Sequence, residues 1–100
     1  MLIEFRTRKL EKCYSTHKCA VKEFGTPVAQ RYIQRINIIK AANDLDDLIN
    51  MQVLRCHALT GNRKGQYAMN LTGFSRLVFT MKQNSLSIIR IEEVSKHYDD

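Results

Sequence analysis

Cationic, histidine and tyrosine side chains gather around a glycine-containing stretch in the second half of the chain. The residues concerned are Arg55, His57, Arg63, Lys64, Tyr67 and Arg76. Such a set, without a pair of carboxylates, suits a phosphodiester substrate, because negative charge builds up on the non-bridging oxygens in the transition state. In RNA the 2'-hydroxyl can act as the nucleophile, so the protein need supply only a base, an acid and charge stabilisation, with no metal and no other cofactor.

Each of these features also fits an ordinary structural interpretation. The segment 61–65 is typical of a hairpin turn, where Arg63 and Lys64 are exposed simply because turns are exposed. Arg76 fits a solvated strand residue equally well, and His57 fits a half-buried strand histidine. The glycine spacing does not match the phosphate-binding loop of mononucleotide-binding proteins.

Three cysteines raise the question of metal binding. Cys13, His17 and Cys19 lie close together in the sequence, but zinc sites usually combine two pairs of ligands. Cys56 alone supplies no second pair. We therefore predict no metal site, and in a reducing compartment we expect the cysteines to be free thiols.

Length and charge narrow the class of protein. The chain has 100 residues, 16 Lys and Arg against 10 Asp and Glu, and a net charge of +6. This length predicts one domain, spanning residues 1–100. No apolar run approaches the ~18 residues that span a bilayer, and the first residues lack the pattern of a signal peptide. We therefore expect a cytoplasmic protein without a membrane partner, whose positive charge favours polyanions.

The first half of the chain predicts a strand followed by helices. Residues 2–6 alternate like a strand, and residues 7–24 are rich in helix formers. Thr26 and Pro27 are typical of the start of a second helix. From residue 29 to 42 apolar residues recur every three or four positions, which indicates one buried helix face. The residues predicted to face solvent are Gln30, Arg31, Gln34 and Arg35.

After residue 52 the apolar period changes to two, which predicts strands. Residues 66–71 and 76–81 alternate on either side of a short turn and are typical of a hairpin with one apolar face. Gln83 and Asn84 predict a second turn, and residues 86–91 are apolar on both sides, as expected for a central strand. The acidic pair Glu92 and Glu93 and a polar tail then close the chain.

This order of elements predicts an α+β fold. An N-terminal strand and two helices are expected to pack on one face of a small twisted antiparallel sheet. On the second strand of the hairpin, Arg76, Val78 and Thr80 then point away from the helices, toward an open sheet face.

The stretch from Leu54 to Phe79 resembles the toxins of the RelE/ParE superfamily, and the HigB-like branch is the most similar. The shared pattern is a histidine, leucine and glycine at alternate positions, a basic loop, a second glycine before an aromatic residue, and a strand arginine followed by alternating hydrophobic residues. The resemblance implies a RelE/ParE-like fold. It also implies the toxin of a type II toxin–antitoxin system, an endoribonuclease that cleaves mRNA on the ribosome.

The resemblance assigns roles by position. His57 matches the family's histidine, an acid or base, and Arg76 matches the strand arginine that stabilises the scissile phosphate. Either His97 or Tyr98, from the C-terminal tail, would complete the catalytic set. Tyr67 would stack on a base. The residues expected to hold RNA are Arg55, Arg63, Lys64 and Tyr67.

The implied partners are the ribosome, mRNA and a helix-turn-helix antitoxin of the HigA type, bound on the helical side of the toxin. Two other functions stay open: a ParE-like inhibitor of DNA gyrase, which would not cleave RNA, and a non-catalytic basic module that binds nucleic acid. His57 beside Arg76 favours the nuclease, because an inhibitor that acts by protein contact needs no acid–base residue next to a phosphate-binding cation.

Overall fold

The structure is a computed structural model that describes residues 1–82 and 87–96. His97 and Tyr98, and the turn predicted at residues 83–84, lie outside the described residues. The helices are α1 (Arg8–Ser15), α2 (His17–Phe24), α3 (Thr26–Ala41) and α4 (Leu45–Asn50), with short 3₁₀ turns at Gln52–Leu54 and Gly61–Arg63. The strands are β1 (Leu2–Phe5), β2 (His57–Ala58), β3 (Gln66–Thr72), β4 (Ser75–Met81) and β5 (Ile88–Lys96).

The first predicted helix is divided in two at Thr16. Thr7 caps the start of α1, because its hydroxyl accepts a hydrogen bond from the N–H of Leu10 at 3.1 Å. Thr16 has extended backbone angles, φ −128° and ψ 105°, and ends α1. The break lets Cys13 of α1 and Ala20 of α2 both turn fully into the core. The prediction of one continuous helix over residues 7–24 is therefore wrong at this position.

Helix α3 is the central helix of the core. Ala29, Tyr32, Ile36 and Ile39 are fully buried, which confirms the predicted apolar face. The Tyr32 hydroxyl donates a 2.7 Å hydrogen bond to the carbonyl of Leu10, and burial raises the pKa of this phenol. The bond ties α3 to α1 through a group that is well satisfied inside the core.

Arg35 was predicted to face solvent, but only 3% of its surface is exposed. Its Nε donates to the carbonyl of Asn70 at 3.0 Å, and its Nη1 donates to Oε1 of Gln34 at 2.9 Å. Burial, and then the nearby charge of Arg31, lower the pKa of the guanidinium. The prediction failed because Asn70 lies where the β3–β4 pairing shifts register, and its carbonyl accepts a donor from the helix layer.

The sheet has the strand order β1-β5-β4-β3-β2. The helices pack on one of its faces, where Met69, Leu77, Phe79, Ile89 and Ile91 join the helical core. The predicted α+β class is confirmed, and β2 to β5 are antiparallel as expected.

The sheet as a whole is mixed, because β1 pairs with β5 in parallel. The prediction of a wholly antiparallel sheet is therefore wrong at its first strand. A parallel pair needs a long crossover connection, and the helices and strands between β1 and β5 provide one.

A bulge in β5 shapes the other face of the sheet. Val78 pairs with Glu93 whereas Phe79 pairs with Ile91, so Glu92 is an extra residue that is skipped in the backbone pairing with β4. Its carboxylate Oε2 instead accepts a 2.8 Å hydrogen bond from the Thr80 hydroxyl. This face bears the alternate residues of β4, as predicted, although Val78 is completely buried there between its cross-strand neighbours.

Candidate functional site

The segment 54–57 alternates between the core and the surface. Leu54 and Cys56 are buried at 0% and 6% exposure, while Arg55 and His57 are exposed. Cys56 therefore anchors the backbone between two side chains that could act on a ligand.

The anchoring thiol makes the stability of this segment sensitive to alkaline pH. Burial raises the pKa of the Cys56 thiol to about 11, so the unfolded chain releases this proton first as the pH rises. The stability that the buried thiol contributes is present below about pH 9 and is lost up to about pH 11. For one group the free energy of unfolding falls by at most about 1.4 kcal/mol per pH unit.

We therefore expect Cys56→Ala to lose stability less steeply than the wild-type protein between pH 9 and 11. Urea unfolding at several pH values measures the two slopes. Cys13 and Tyr32, whose pKa values are also raised by burial, are present in both proteins and cancel in the comparison. Parallel slopes would show that Cys56 is no better protected from ionisation than in the unfolded chain.

Arg55 has a left-handed backbone conformation, with φ 50° and ψ 40°. It ends the 3₁₀ turn at Gln52–Leu54, and its N–H donates to the carbonyl of Gln52 at 3.2 Å. For a residue with a Cβ this conformation costs roughly 1 kcal/mol or more. It turns the chain so that the carbonyl of Arg55 faces the ring of His57.

The tautomer of His57 follows from this contact. The Nδ1 of His57 lies 2.7 Å from the carbonyl oxygen of Arg55. A carbonyl can only accept, so Nδ1 carries the hydrogen and donates it. In the neutral ring Nε2 is then the atom with a lone pair, which is the arrangement a general base requires.

Arg76 lies near the start of β4 and is half-buried. Together with Arg55, His57, Asn70 and Ser75 it lines a cleft of about 260 Å³ next to the β3–β4 turn. The structure thus brings together three of the residues that the sequence singled out. In this cleft an imidazole and two guanidinium groups can act on one anionic ligand.

The basic loop is not part of this cleft. Arg63 is held against the sheet, since its Nε donates to Oε1 of Gln66 at 2.8 Å and its Nη2 lies 3.4 Å from a carboxylate oxygen of Glu93. Lys64 is exposed and lines a broader groove of about 980 Å³, together with Thr80, Lys82 and Arg90. This groove lies at the other end of β4, where Thr80 is about 13 Å from Arg76 by the rise of four strand residues.

Tyr67 lies on the helix-facing side of the sheet. It pairs with Phe79, and the two rings stack with their centroids 5.6 Å apart. Since Phe79 is fully buried, this contact attaches Tyr67 to the core. The structure does not place its ring in the cleft with His57 and Arg76, so the expected stacking on a base has no support from the geometry.

The sequence predicts that Glu92 and Glu93 belong to the polar end of the chain, but both lie within β5. Glu93 pairs with Val78, which places it diagonally across from Arg76, whose direct partner is Ser95. The carboxylate of Glu92 forms two ion pairs, with its Oε1 3.7 Å from Nε of Arg6 and its Oε2 3.8 Å from Nε of Arg90. The apolar residue Val94 following them was the available signal that the strand continues.

Comparisons with known proteins come from structure alone, since no family model and no curated protein matches the sequence. The YoeB/ParE toxin from Agrobacterium tumefaciens superposes with a TM-score of 0.65 at 14% identity, over 98% of this chain and 100% of that chain. In a YoeB-YefM complex from Staphylococcus aureus the TM-score is 0.62 at 18% identity, over 98% and 99% of the two chains.

A mutant of YafQ from E. coli gives a TM-score of 0.61 at 16% identity, covering 94% of this chain and 90% of that chain. The chain therefore has the fold of the YoeB, ParE and YafQ toxins of toxin–antitoxin systems. The HigB-like branch that the sequence resembles is not among these neighbours. No helix in residues 1–82 or 87–96 is both long and apolar enough to span a membrane.

Proposed function

We propose that this protein is the toxin of a type II toxin–antitoxin system and that it cleaves mRNA bound to the ribosome in the cytoplasm. The observation that carries the proposal is the cleft lined by both His57, whose Nδ1 contacts the carbonyl of Arg55, and Arg76, within a fold shared with known toxins. A base and a cation at one phosphate are what cleavage by a 2'-hydroxyl needs.

In the proposed reaction Nε2 of His57 takes the proton from the 2'-hydroxyl as its oxygen attacks the adjacent phosphorus. The bond from phosphorus to the 5'-oxygen breaks, which leaves a 2',3'-cyclic phosphate and a 5'-hydroxyl. Arg76 stabilises the charge on the non-bridging oxygens, and Arg55 adds a second cation at the rim. The leaving 5'-oxygen takes a proton from an acid, for which His97 and Tyr98 stay the candidates. No metal ion takes part.

The groove at the far end of β4 fits the path of the message. Lys64, Lys82 and Arg90 line it together with one carboxylate, Glu4, which contacts Lys82. The excess of cations can attract the backbone of single-stranded RNA. The same strand of RNA would then contact Arg76 at one end of the open face and these cations at the other.

We further propose that a cognate antitoxin holds the protein inactive. The structural neighbours include two kinds of complex, YoeB-YefM from Staphylococcus aureus and DinJ-YafQ from E. coli. A helix-turn-helix antitoxin of the HigA type, on the helical side, is the more specific form of this proposal.

Brief expression in growing bacteria followed by primer extension on cellular messages tests the function. We expect growth arrest and new 5' ends inside translated regions, with few in untranslated RNA. Inhibition of DNA gyrase is the second candidate function, because one structural neighbour is described as a YoeB/ParE toxin. Growth arrest with intact messages and with DNA breaks would favour that candidate.

Arg55 offers a test that separates its charge from its backbone strain. Arg55→Gly removes the cation and relieves the left-handed strain, whereas Arg55→Ala removes only the cation. We expect both variants to bind a single-stranded RNA oligonucleotide more weakly, with a salt slope reduced by about 0.7 if one phosphate contact is lost. Only Arg55→Gly should raise the free energy of unfolding, by about 1 kcal/mol, and it should therefore melt at a higher temperature than the wild-type protein.

Thermal melts and binding titrations at several salt concentrations make both measurements. RNA binding unchanged in both variants would remove Arg55 from the RNA contacts. If the two variants melted at the same temperature, the left-handed conformation would not be a source of strain.

A further inference from the structure

Two cysteines meet across the break between α1 and α2. The Sγ atoms of Cys13 and Cys19 are 3.4 Å apart, close to van der Waals contact. Cys13 is completely buried, whereas Cys19 is half-buried. A disulfide requires about 2.05 Å, so a small rotation of the side chains toward each other would suffice to join the two sulfur atoms.

Cys19 is also reached from solvent through a cationic cleft. The cleft has a volume of about 310 Å³ and is lined by Cys19, Thr16, Glu23 and the four lysines Lys9, Lys12, Lys18 and Lys22. Glu23 offsets one of these charges through its 3.4 Å contact with Lys9. The cleft belongs to the helical layer, on the other side of the molecule from His57 and Arg76.

These two features belong together chemically. Thiol–disulfide exchange needs an accessible sulfur, a second thiol within reach and a place for the incoming group. The lysines that line the cleft attract an anionic group toward Cys19. Small thiol compounds that carry carboxylates, such as glutathione, have the matching charge.

We propose that Cys19 is a modification site, at which its thiol reacts with an anionic low-molecular-weight disulfide held in the lysine cleft, and that Cys13 then displaces the bound group to form a Cys13–Cys19 disulfide. The proposal does not depend on the ribonuclease function, because it uses no residue of the His57 and Arg76 cleft.

The reaction takes place in two thiol–disulfide exchanges. The Cys19 thiolate attacks one sulfur of oxidised glutathione, a mixed disulfide forms at Cys19, and one glutathione leaves as its thiolate. Cys13 then attacks the Cys19 sulfur, the second glutathione leaves, and the proton of Cys13 passes to it. The protein loses two electrons, which reduce one oxidised glutathione to two thiols.

The order of attack follows from burial. Burial, with the contact to Cys19, raises the pKa of the Cys13 thiol to about 11, so Cys13 stays protonated and inert toward a reagent in solution. Cys56 is buried in the core below His57, with no second thiol beside it among the described residues. Cys56 therefore serves as an internal control for access.

Mass spectrometry of the intact chain treated with oxidised glutathione tests the proposal. We expect a final mass lower by two hydrogen atoms, with Cys56 still free. Trypsin cleaves after Lys12, Lys18 and Lys22, so the disulfide joins two separate peptides, one with Cys13 and one with Cys19. A stable glutathione adduct at Cys19, a disulfide between two chains, or oxidation at Cys56 would overturn the proposal.

Variants separate the two steps. Cys13→Ala should stop at one glutathione on Cys19, and Cys19→Ala should take up none. Since Cys13 is fully buried and its variant could fail to fold, the half-buried Cys19→Ala keeps the test decisive. An unchanged yield of oxidised protein in Cys19→Ala would contradict the assignment.

The lysine cleft has its own control. Lys12→Gln/Lys22→Gln should react about tenfold more slowly with oxidised glutathione, because two nearby charges are lost. Its rate with the uncharged bis(2-hydroxyethyl) disulfide should not change. The matched variant Lys64→Gln/Lys96→Gln removes two exposed cations from the sheet layer and should react like the wild-type protein. Equal slowing in both double variants would mean that net charge, and not the cleft, guides the reagent.

Discussion

Arg76→Ala is expected to lower the rate of mRNA cleavage on the ribosome by about 100- to 1,000-fold, the usual loss when one group that stabilises an oxyanion is removed. Arg76 is the half-buried cation of the His57 cleft, and it reaches this position from the open face of β4. Its removal takes away charge stabilisation where water and salt are least able to replace it. In cells, the variant should no longer arrest growth.

Two further variants make this result specific. Arg76→Lys keeps the charge but not the planar pair of donors, so it should recover only part of the activity. Arg8→Ala removes an exposed arginine from α1 and should cleave like the wild-type protein. Melting curves show whether Arg76→Ala is folded. Full toxicity of a folded Arg76→Ala protein would remove Arg76 from the site and weaken the ribonuclease proposal with it.

Cleavage of naked RNA is expected to be slower than cleavage on translating ribosomes by about 1,000-fold or more. His57 is exposed, and the cleft of about 260 Å³ is too small to hold a nucleotide on all sides. The protein alone therefore cannot fix the 2'-hydroxyl in line with the bond that breaks. Alignment of reacting groups is worth several kcal/mol, and in this proposal the ribosome supplies it.

A single purified message, with and without translating ribosomes, measures the difference in one experiment. His57→Ala should reduce the ribosome-dependent rate and leave the slow background unchanged, because that background does not use the aligned base. Efficient cleavage of free RNA, particularly cleavage that stops when divalent metal is removed, would contradict the proposed mechanism.

The sequence predicted the individual helices and strands better than the pairing of distant strands and the packing of the helices. The helical period of α3 and the alternation of β3 and β4 are properties of short segments, and they were read correctly. The parallel pairing of β1 with β5 depends on two segments at opposite ends of the chain, and no local pattern encodes it. The break at Thr16 was missed because residues 7–24 were judged as one segment, although Ser15, Thr16 and His17 are themselves weak helix formers. The need to bury both Cys13 and Ala20 is tertiary and leaves no local signal.

The residues of the candidate site were also predicted in part: their identities were found, but not all of their contacts. Arg55, His57 and Arg76 were identified from their types and spacing, and the fold brings them to one cleft. Tyr67 was assigned a ligand contact because aromatic residues stack on bases, but strand parity turns it toward Phe79.

Glu92 and Glu93 were overlooked because acidic residues in succession are typical of a chain leaving a sheet. The bulge that keeps both of them in β5 could not be predicted from either residue.

The position of β5 in the sheet affects how the protein folds during its synthesis. β5 lies between β1 and β4, yet it is synthesised after every other strand, so the sheet stays in two parts until residues 88–96 have emerged. β1 has no strand to pair with while the helices and the β3–β4 hairpin form. Its pairing with β5 completes the sheet and joins residues that are separated by most of the chain. A nascent chain without β5 lacks the strand that carries Glu93 and supports Arg76. The face of the sheet that bears the proposed site is therefore complete only after β5 has been synthesised and has paired with β4.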